Sequence, residues 1–167
     1  KLTTGDAATL INPSEDPNDE RPIFTWQHVM SNNAVVYVGL DALSDAEVAA
    51  AVGNAMFADL TSVAGSRYKY GSGYGESKGS KNHKVSIHAD EFNELIGDEF
   101  IPMLNKAGGA GYQVTAYTQT LSDIEAKIGY APKSEQIIGN LNTLVMLRVK
   151  TTTTAELLTS QLPKVHI

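Results

Sequence analysis

The sequence contains no cysteine. This absence excludes disulfide frameworks, thiolate metal sites and cysteine nucleophiles, and it is compatible with a reducing compartment. The histidines lack the helical spacing of a zinc site, so we expect no structural zinc at His28, His83, His88 and His166. No Gly-x-Ser-x-Gly elbow is present either, which argues against hydrolysis by a serine nucleophile.

Long apolar runs and a targeting leader are also missing. No unbroken apolar stretch is long enough to cross a membrane, and no basic segment followed by an apolar one opens the chain. Because the chain begins with Lys1 and not with methionine, we expect a piece of a longer protein. Its 167 residues fit one domain with a buried core. The formal net charge of −6 argues against broad coating of nucleic acid, although it is compatible with a local basic site.

A phosphate-binding P-loop is the most informative absence. The pattern Gly-x-x-x-x-Gly-Lys-Ser/Thr does not occur in any window of the sequence. The glycines and lysines of residues 67–84 have a different spacing, and they do not lie between a buried strand and a helix. We therefore expect that this chain cannot cradle nucleotide phosphates by itself.

Apolar runs alternate with helical patterns along the chain. Continuous apolarity is typical of strands buried on both faces, and the runs predict strands over residues 34–40, 84–90, 112–118 and 143–149. Ser/Thr-x-x-Glu capping boxes predict helices that begin at residues 44–47, 122–125 and 153–156, and a further helix runs to about Lys106. Strands that alternate with helices imply right-handed crossovers. The prediction is an α/β fold, a partial parallel sheet flanked by helices.

We expect residues 1–167 to form a single domain. Two of its segments do not follow the alternation of strands and helices. Residues 1–33 contain three prolines among polar residues and predict an irregular lead-in, which Trp26 anchors to the core. Residues 67–84 carry five basic residues against one acid, with tyrosines between them. Such a basic and aromatic loop can hold single-stranded DNA, and its candidate contacts are Arg67, Lys69, Lys78 and Lys81. A solvated, flexible loop explains the same composition.

Polar residues follow the predicted strands at the edge where open α/β sheets bind ligands. Asp90 and Glu91 end the strand over residues 84–90, as in a Walker B motif, where an Asp holds the shell of a Mg²⁺ ion and a Glu orients the attacking water. An acidic turn without such a role explains this pair equally well. Gln119 can sense a γ-phosphate or bond to a helix start. Arg148 and Asp41 complete the set; Arg148, inside an apolar strand, needs an acid or a carbonyl as partner.

Four stretches of the sequence resemble one known family. They are Val-Tyr-Val-Gly-Leu-Asp-Ala-Leu-Ser-Asp at 36–45, Ala-Val-Gly-Asn-Ala-Met-Phe-Ala-Asp-Leu at 51–60, His-Ala-Asp-Glu-Phe-Asn-Glu-Leu at 88–95 and Tyr-Thr-Gln-Thr-Leu-Ser-Asp at 117–123. Together they resemble the TraD-type coupling proteins of bacterial conjugation, which are VirD-like relatives of the FtsK and TraG pumps. The resemblance extends over roughly the whole chain.

The resemblance implies a hexameric, ATP-driven motor that links a relaxase-bound DNA strand to a type IV secretion channel. It places such a protein at the cytoplasmic face of the bacterial inner membrane, with the anchor outside this chain. The chain itself would be the C-terminal half of a RecA-like P-loop NTPase domain, without its Walker A unit. ATP and Mg²⁺ are then cofactors of the intact parent, and this chain alone is expected to bind neither and to be inactive.

The resemblance also assigns roles to particular residues. Asp90 and Glu91 match Walker B, with Asp90 bound to Mg²⁺ through water and Glu91 as the general base or the group that orients the water. Gln119 matches the polar residue of the following motif. Relatives carry an arginine before the Gly-rich break, where residues 105–109 of this chain read Asn-Lys-Ala-Gly-Gly. A cation that reaches a neighbouring subunit's nucleotide would therefore be Lys106 or Arg148.

Two alternatives remain open from the sequence. One is a non-hydrolytic module that docks a relaxosome or secretion partner and has no need of the Asp90–Glu91 pair. The other is an oligomer interface, with the basic loop of residues 67–84 lining a central pore.

Overall fold

The structure, a computed structural model, describes residues 14, 16–71, 84–97, 100–160 and 162–163, and only the backbone of residues 106 and 107. Its elements are, in chain order, α1 (Trp26–Ser31), α2 (Ala42–Tyr70), β1 (Val85–Ala89), α3 (Phe92–Leu95), α4 (Phe100–Lys106), a 3₁₀ turn (Ala107–Ala110), β2 (Tyr112–Ala116), α5 (Leu121–Ile128), α6 (Ala131–Asn140) and α7 (Thr152–Thr159).

The two strands form a small parallel sheet at the centre of these elements. Val85 of β1 lies opposite Tyr112 of β2, and Ala89 lies opposite Ala116. A parallel pair needs a crossover connection, which α3, α4 and the 3₁₀ turn supply here. The predicted α/β character, with a parallel sheet and flanking helices, is confirmed at this level.

The core lies on the side of the sheet that faces α2 and α4. Phe92, Phe100 and Met103 are almost completely buried there. The ring of Phe100 lies 4.5 Å from that of Phe92 and 5.1 Å from that of Phe57. These aromatic contacts join the turn after β1 to α2 and α4. The core therefore holds the end of β1 in place.

The long helix α2 is the main element packed against this core. By length and composition alone it could cross a membrane, since an 18-residue window has a mean hydropathy of 1.3. This finding corrects the expectation, which was based on unbroken apolar runs, that no segment is long enough to cross a membrane. Core helices meet the same criterion, and α2 contributes Leu60, Val63 and Ala64 to the hydrophobic core.

The helices begin near the predicted residues, but their N-cap residues differ from the predicted ones. At α2 the carboxylate of Asp41 accepts from the amide of Ser44, and the backbone is non-helical at Asp45. Thr120 caps α5, where its side chain accepts from the amide of Asp123. Thr151 is the N-cap residue of α7. Each N-cap residue thus precedes the first residue of the predicted capping box by two or three positions.

Two predicted strands are irregular in the structure. Residues 34–40 and 141–150 have no regular secondary structure, and Val35, Tyr37 and Leu147 are strongly exposed. A strand exists only where a neighbour completes its ladder of hydrogen bonds, and in the described part of the chain β1 and β2 pair with each other alone. The prediction of strands over 34–40 and 143–149 is therefore wrong for this structure.

Three other boundaries also differ from the prediction. The helix expected to run to about Lys106 is two helices, α3 and α4, since the backbone is extended at Ile96. The lead-in of residues 1–33 contains α1. The segment of residues 67–84, predicted to be a flexible loop, begins inside the last turn of α2.

We predict that Phe100→Ala lowers the free energy of unfolding by about 3–5 kcal/mol, because it removes a buried ring and leaves a cavity. Urea unfolding of the chain measures this change. Leu43→Ala is the control, since Leu43 is fully exposed, and it should shift stability by no more than about 0.5 kcal/mol. Equal effects of the two substitutions would contradict the core described above.

Candidate functional site

The carboxyl ends of β1 and β2 form one edge, and two backbone hydrogen bonds extend the ladder beyond the strands. The amide of Tyr117 donates to the carbonyl of Ala89 at 2.9 Å, and the amide of Phe92 donates to the carbonyl of Tyr117 at 2.9 Å. These bonds hold the turn after β1 beside the loop after β2. Residues that the sequence separates widely therefore meet at this edge.

Asp90 and Glu91 form the turn after β1, and both are exposed. The backbone of Glu91 is left-handed, with φ 45° and ψ 48°. Its amide donates to Oδ1 of Asp90 at 3.0 Å, and its carbonyl accepts from the amide of Glu94 at 2.8 Å. A left-handed backbone costs a residue with a side chain about 1 kcal/mol or more. The core contacts that follow at Phe92 keep the turn in this conformation.

Gln119 lies in the loop after β2, on the same edge as the acidic pair, and is exposed. The neighbouring hydroxyl of Thr118 lies 3.4 Å from Oδ1 of Asn93 in α3, to which it donates. This contact is a second link between the two loops, and the N-cap of α5 at Thr120 ends the loop. The structure thus brings Asp90, Glu91 and Gln119 to one edge, as the strand order predicts.

His88 and Tyr117 form an exposed aromatic pair at this edge. Nδ1 of His88 lies 3.0 Å from the hydroxyl of Tyr117, and the rings stack with centroids 6.1 Å apart. Sequence reasoning considered His88 only as a zinc ligand, and the described residues contain no group of three potential metal ligands. Strand alternation could have found the pair, since it places His88 on the exposed face of β1.

Asp41 lies at the N-terminus of α2 and lines a groove of about 1190 Å³ together with Asp90 and Glu91. Hydrogen bonds from the hydroxyl and the amide of Ser44 lower the pKa of Asp41 from its ordinary value. The groove runs between residues 34–40, α2 and β1, and its walls are mostly apolar. The exposed carboxylate of Asp41 therefore borders a mostly apolar groove.

Of the two predicted cations, only the side chain of Arg148 is described. Arg148 is exposed in the irregular segment of residues 141–150. Lys106 is the last residue of α4, and its side chain is outside the described part of the chain. No described contact joins either residue to Asp90 or Glu91, so their predicted roles toward a neighbouring subunit stay predictions.

The four candidate DNA contacts have different environments. Arg67 is 1% exposed, with Nη1 3.2 Å from Sδ of Met30 and Cζ 6.0 Å from the ring centre of Tyr112. Its charge is therefore directed into the core and not toward a phosphate backbone. Lys69 is exposed beside the ring of Tyr70, whereas Lys78 and Lys81 lie outside the described residues.

Comparison with protein families identifies the chain. Residues 84–167, half of its length, match the family model described as the TraM recognition site of TraD and TraG. The chain belongs to this family, and the predicted resemblance to TraD-type coupling proteins is confirmed. It is the C-terminal region of a coupling protein of the TraD and TraG type. No curated protein and no solved structure matches the chain.

We predict that the left-handed backbone at Glu91 makes this position sensitive to side-chain shape. Glu91→Asn should leave the free energy of unfolding unchanged or raise it, because Asn tolerates this conformation. Glu91→Val, with a β-branched side chain, should be less stable than Glu91→Asn by about 1 kcal/mol or more. Urea unfolding of the two variants measures the difference, and equal stabilities would show that the turn is not left-handed in solution.

Proposed function

We propose that this chain supplies the acidic half of the nucleotide site of a conjugative coupling protein. The whole protein would be an ATP-driven motor with a RecA-like P-loop domain that links the relaxosome to a type IV secretion channel. One observation carries the proposal: Ala89 and Phe92, on either side of the Asp90–Glu91 turn, are hydrogen-bonded to Tyr117 in the loop that bears Gln119, at the carboxyl ends of two parallel strands. In open α/β sheets this is where ligands bind.

The residues present at this edge fit a magnesium ion bound through water. Magnesium takes oxygen ligands and keeps several waters, with one or two carboxylates and the substrate phosphates completing its shell. Asp90 is exposed at the strand end and can accept such a water. When bound, the ion would neutralise charge on the phosphates of ATP. Because no P-loop occurs in this sequence, the groups that cradle those phosphates must come from elsewhere in the parent.

Glu91 and Gln119 would act on the attacking water and on the terminal phosphate. Glu91 follows Asp90 directly, has a left-handed backbone and is exposed. An exposed carboxylate at this place can orient a water or take its proton. Gln119, held beside the turn by the Thr118–Asn93 contact, would sense the γ-phosphate through its amide.

A DNA contact and a subunit contact would complete the motor. Lys69 with Tyr68 and Tyr70 forms an exposed basic and aromatic end of α2, which suits single-stranded DNA, and Lys78 and Lys81 follow it in the sequence. In a hexamer, Lys106 or Arg148 would reach the nucleotide of a neighbouring subunit. The anchor of the parent in the inner membrane would lie outside this chain.

A second candidate function is docking of a relaxosome protein. The family description names TraM as the protein that is recognised, so a relaxosome-type partner is supported. Docking needs an exposed surface in residues 84–167 and does not need the acidic pair at the strand ends. The two functions are compatible, because the edge at Asp90 occupies a small part of this region.

We predict that Glu91→Gln in the parent coupling protein lowers kcat for ATP hydrolysis by about 100-fold or more, because an amide cannot accept the proton of the water. A steady-state phosphate-release assay measures kcat and KM. The matched control is Glu125→Gln, which makes the same charge change at an exposed position of α5. Wild-type turnover of the Glu91→Gln variant would overturn the proposed motor site.

We predict that docking and hydrolysis separate in the double variant Asp90→Ala/Glu91→Ala of the parent. Its Kd for TraM, measured by calorimetry, should stay within about twofold of the wild type, because small exposed changes outside an interface hot spot contribute little. Conjugative transfer should be lost. Normal transfer by this variant would leave docking as the function of the region, and lost TraM binding would place the partner on the acidic edge.

A further inference from the structure

His88 lies on a part of β1 that the core holds in place. Its neighbours Ile87 and Ala89 both pack in or against the hydrophobic core, and Ala89 is 2% exposed. Because side chains alternate along a strand, that of His88 projects from the opposite, exposed face of the sheet. A side chain on such a strand has a fixed base, which is what the precise placement of a neighbouring group requires.

The register of the sheet explains why this side chain meets Tyr117. His88 lies opposite Thr115 of β2, and Tyr117 comes two residues after Thr115, on the same face. The two side chains are therefore offset by about 7 Å along the strand direction, a separation that the two rings bridge. Nδ1 of His88 accordingly lies 3.0 Å from the hydroxyl of Tyr117. A phenol hydroxyl both donates and accepts, so this contact forms with either tautomer of the imidazole.

The backbone of Tyr117 joins both sides of the acidic turn to the loop that bears Gln119. Its amide donates to the carbonyl of Ala89, and its carbonyl accepts from the amide of Phe92, both at 2.9 Å. The side-chain link from Thr118 to Asn93 is 3.4 Å long, beyond the usual range for a bond between a hydroxyl and an oxygen. The contact of Tyr117 with β1 through its hydroxyl is therefore the shorter of these two side-chain restraints on the loop.

We propose that His88 is a positioning residue of the acidic edge. By holding the ring of Tyr117 against β1, it fixes the peptide groups on both sides of Tyr117, and with them the separation of the Asp90–Glu91 turn from Gln119. The imidazole itself takes no part in the chemistry. This inference rests on the proposed nucleotide site, where the acidic pair and the amide must act on the same water and phosphate. Misplacement of such groups by about 1 Å can cost about 100-fold in rate.

Amide hydrogen exchange of this chain tests the restraint without any hydrolysis. Tyr117→Phe removes the hydroxyl and keeps the ring and the backbone, so the amide of Phe92, which donates to residue 117, should exchange about fivefold faster. The amide of Val85, which donates to Gly111 at the other end of the ladder at 3.0 Å, should keep its rate. An unchanged rate at Phe92 would overturn the proposal. Equal acceleration of both amides would show a general loss of stability and would overturn it too.

Two variants of similar size separate the hydrogen bond of His88 from its shape. His88→Asn carries an amide that both donates and accepts, and should keep the exchange rate of Phe92 within about twofold of the wild type. His88→Leu has no polar atom and should raise this rate about fivefold, as Tyr117→Phe does. The double variant His88→Leu/Tyr117→Phe should show no further increase, because both changes remove the same bond. Additive effects of the two changes would contradict a shared contact and overturn the proposal.

In the parent coupling protein, the same substitutions should change kcat and leave KM unchanged. Tyr117→Phe and His88→Leu should each lower kcat for ATP hydrolysis by about tenfold, and His88→Asn should stay within about twofold of the wild type. KM should change by less than about twofold, because the groups that hold the nucleotide phosphates lie outside this chain. Tyr130→Phe is the matched control, since it makes the same change at a tyrosine that is 59% exposed at the start of α6.

The failure of this inference differs from the failure of the proposed nucleotide site. Wild-type kcat of the Tyr117→Phe variant, in a parent that Glu91→Gln inactivates, would overturn the positioning role alone. Normal turnover of the Glu91→Gln variant would overturn the nucleotide site and with it this role, whatever the exchange rates of Phe92 show.

Discussion

The arrangement of the site depends on the hydrogen bonds that continue the β1–β2 ladder past the strand ends. The backbone of Tyr117 takes part in both bonds: its amide donates to the carbonyl of Ala89, and its carbonyl accepts from the amide of Phe92. Backbone groups at such a place must be paired when water is excluded, and Phe92 is fully buried. The amide of Phe92 thus forms a hydrogen bond at the strand edge, whereas its ring packs in the core. Phe92 therefore connects the core at Phe100 to the acidic turn.

Helix α2 connects this core to the regions that surround it. Its buried residues Leu60, Val63 and Ala64 pack against the core, and Arg67 inserts between Met30 and Tyr112. A buried guanidinium is tolerated only where polarisable and hydrogen-bonding groups surround it. The sulfur of Met30 and the ring of Tyr112 provide such contacts. The two basic residues in the last turn of α2 consequently differ in environment, since Arg67 is buried and Lys69 is exposed.

Family membership and geometry support different parts of the function. The family match identifies a coupling protein region and names TraM as its partner. The proposed nucleotide site rests on the geometry alone, in which two acidic residues and an amide side chain share the carboxyl edge of a parallel pair. A motor that receives its cargo from a docked relaxosome needs both properties. The proposed motor would couple docking to hydrolysis within this one region.

The elements that could be predicted from the sequence depend on residues that lie close together in the chain. Strands β1 and β2 and the helix starts of α5 and α7 follow from short patterns of apolar and capping residues. The edge that joins Asp90 and Gln119 also followed from strand order, since parallel strands end on one side. Residues 34–40 and 143–149 have the same apolar composition as strands, but composition cannot supply the neighbouring strand that a ladder requires.

The sequence by itself determined the family, the parallel α/β character and the residues at the ends of β1 and β2. Only the tertiary structure decided the direction of Arg67, the left-handed turn at Glu91 and the His88–Tyr117 pair. A side chain's burial depends on residues far away in sequence, here Met30 and Tyr112 around Arg67. The turn at Glu91 is held by the bond between Phe92 and Tyr117. Such contacts exist only after the chain has folded, so no local pattern encodes them.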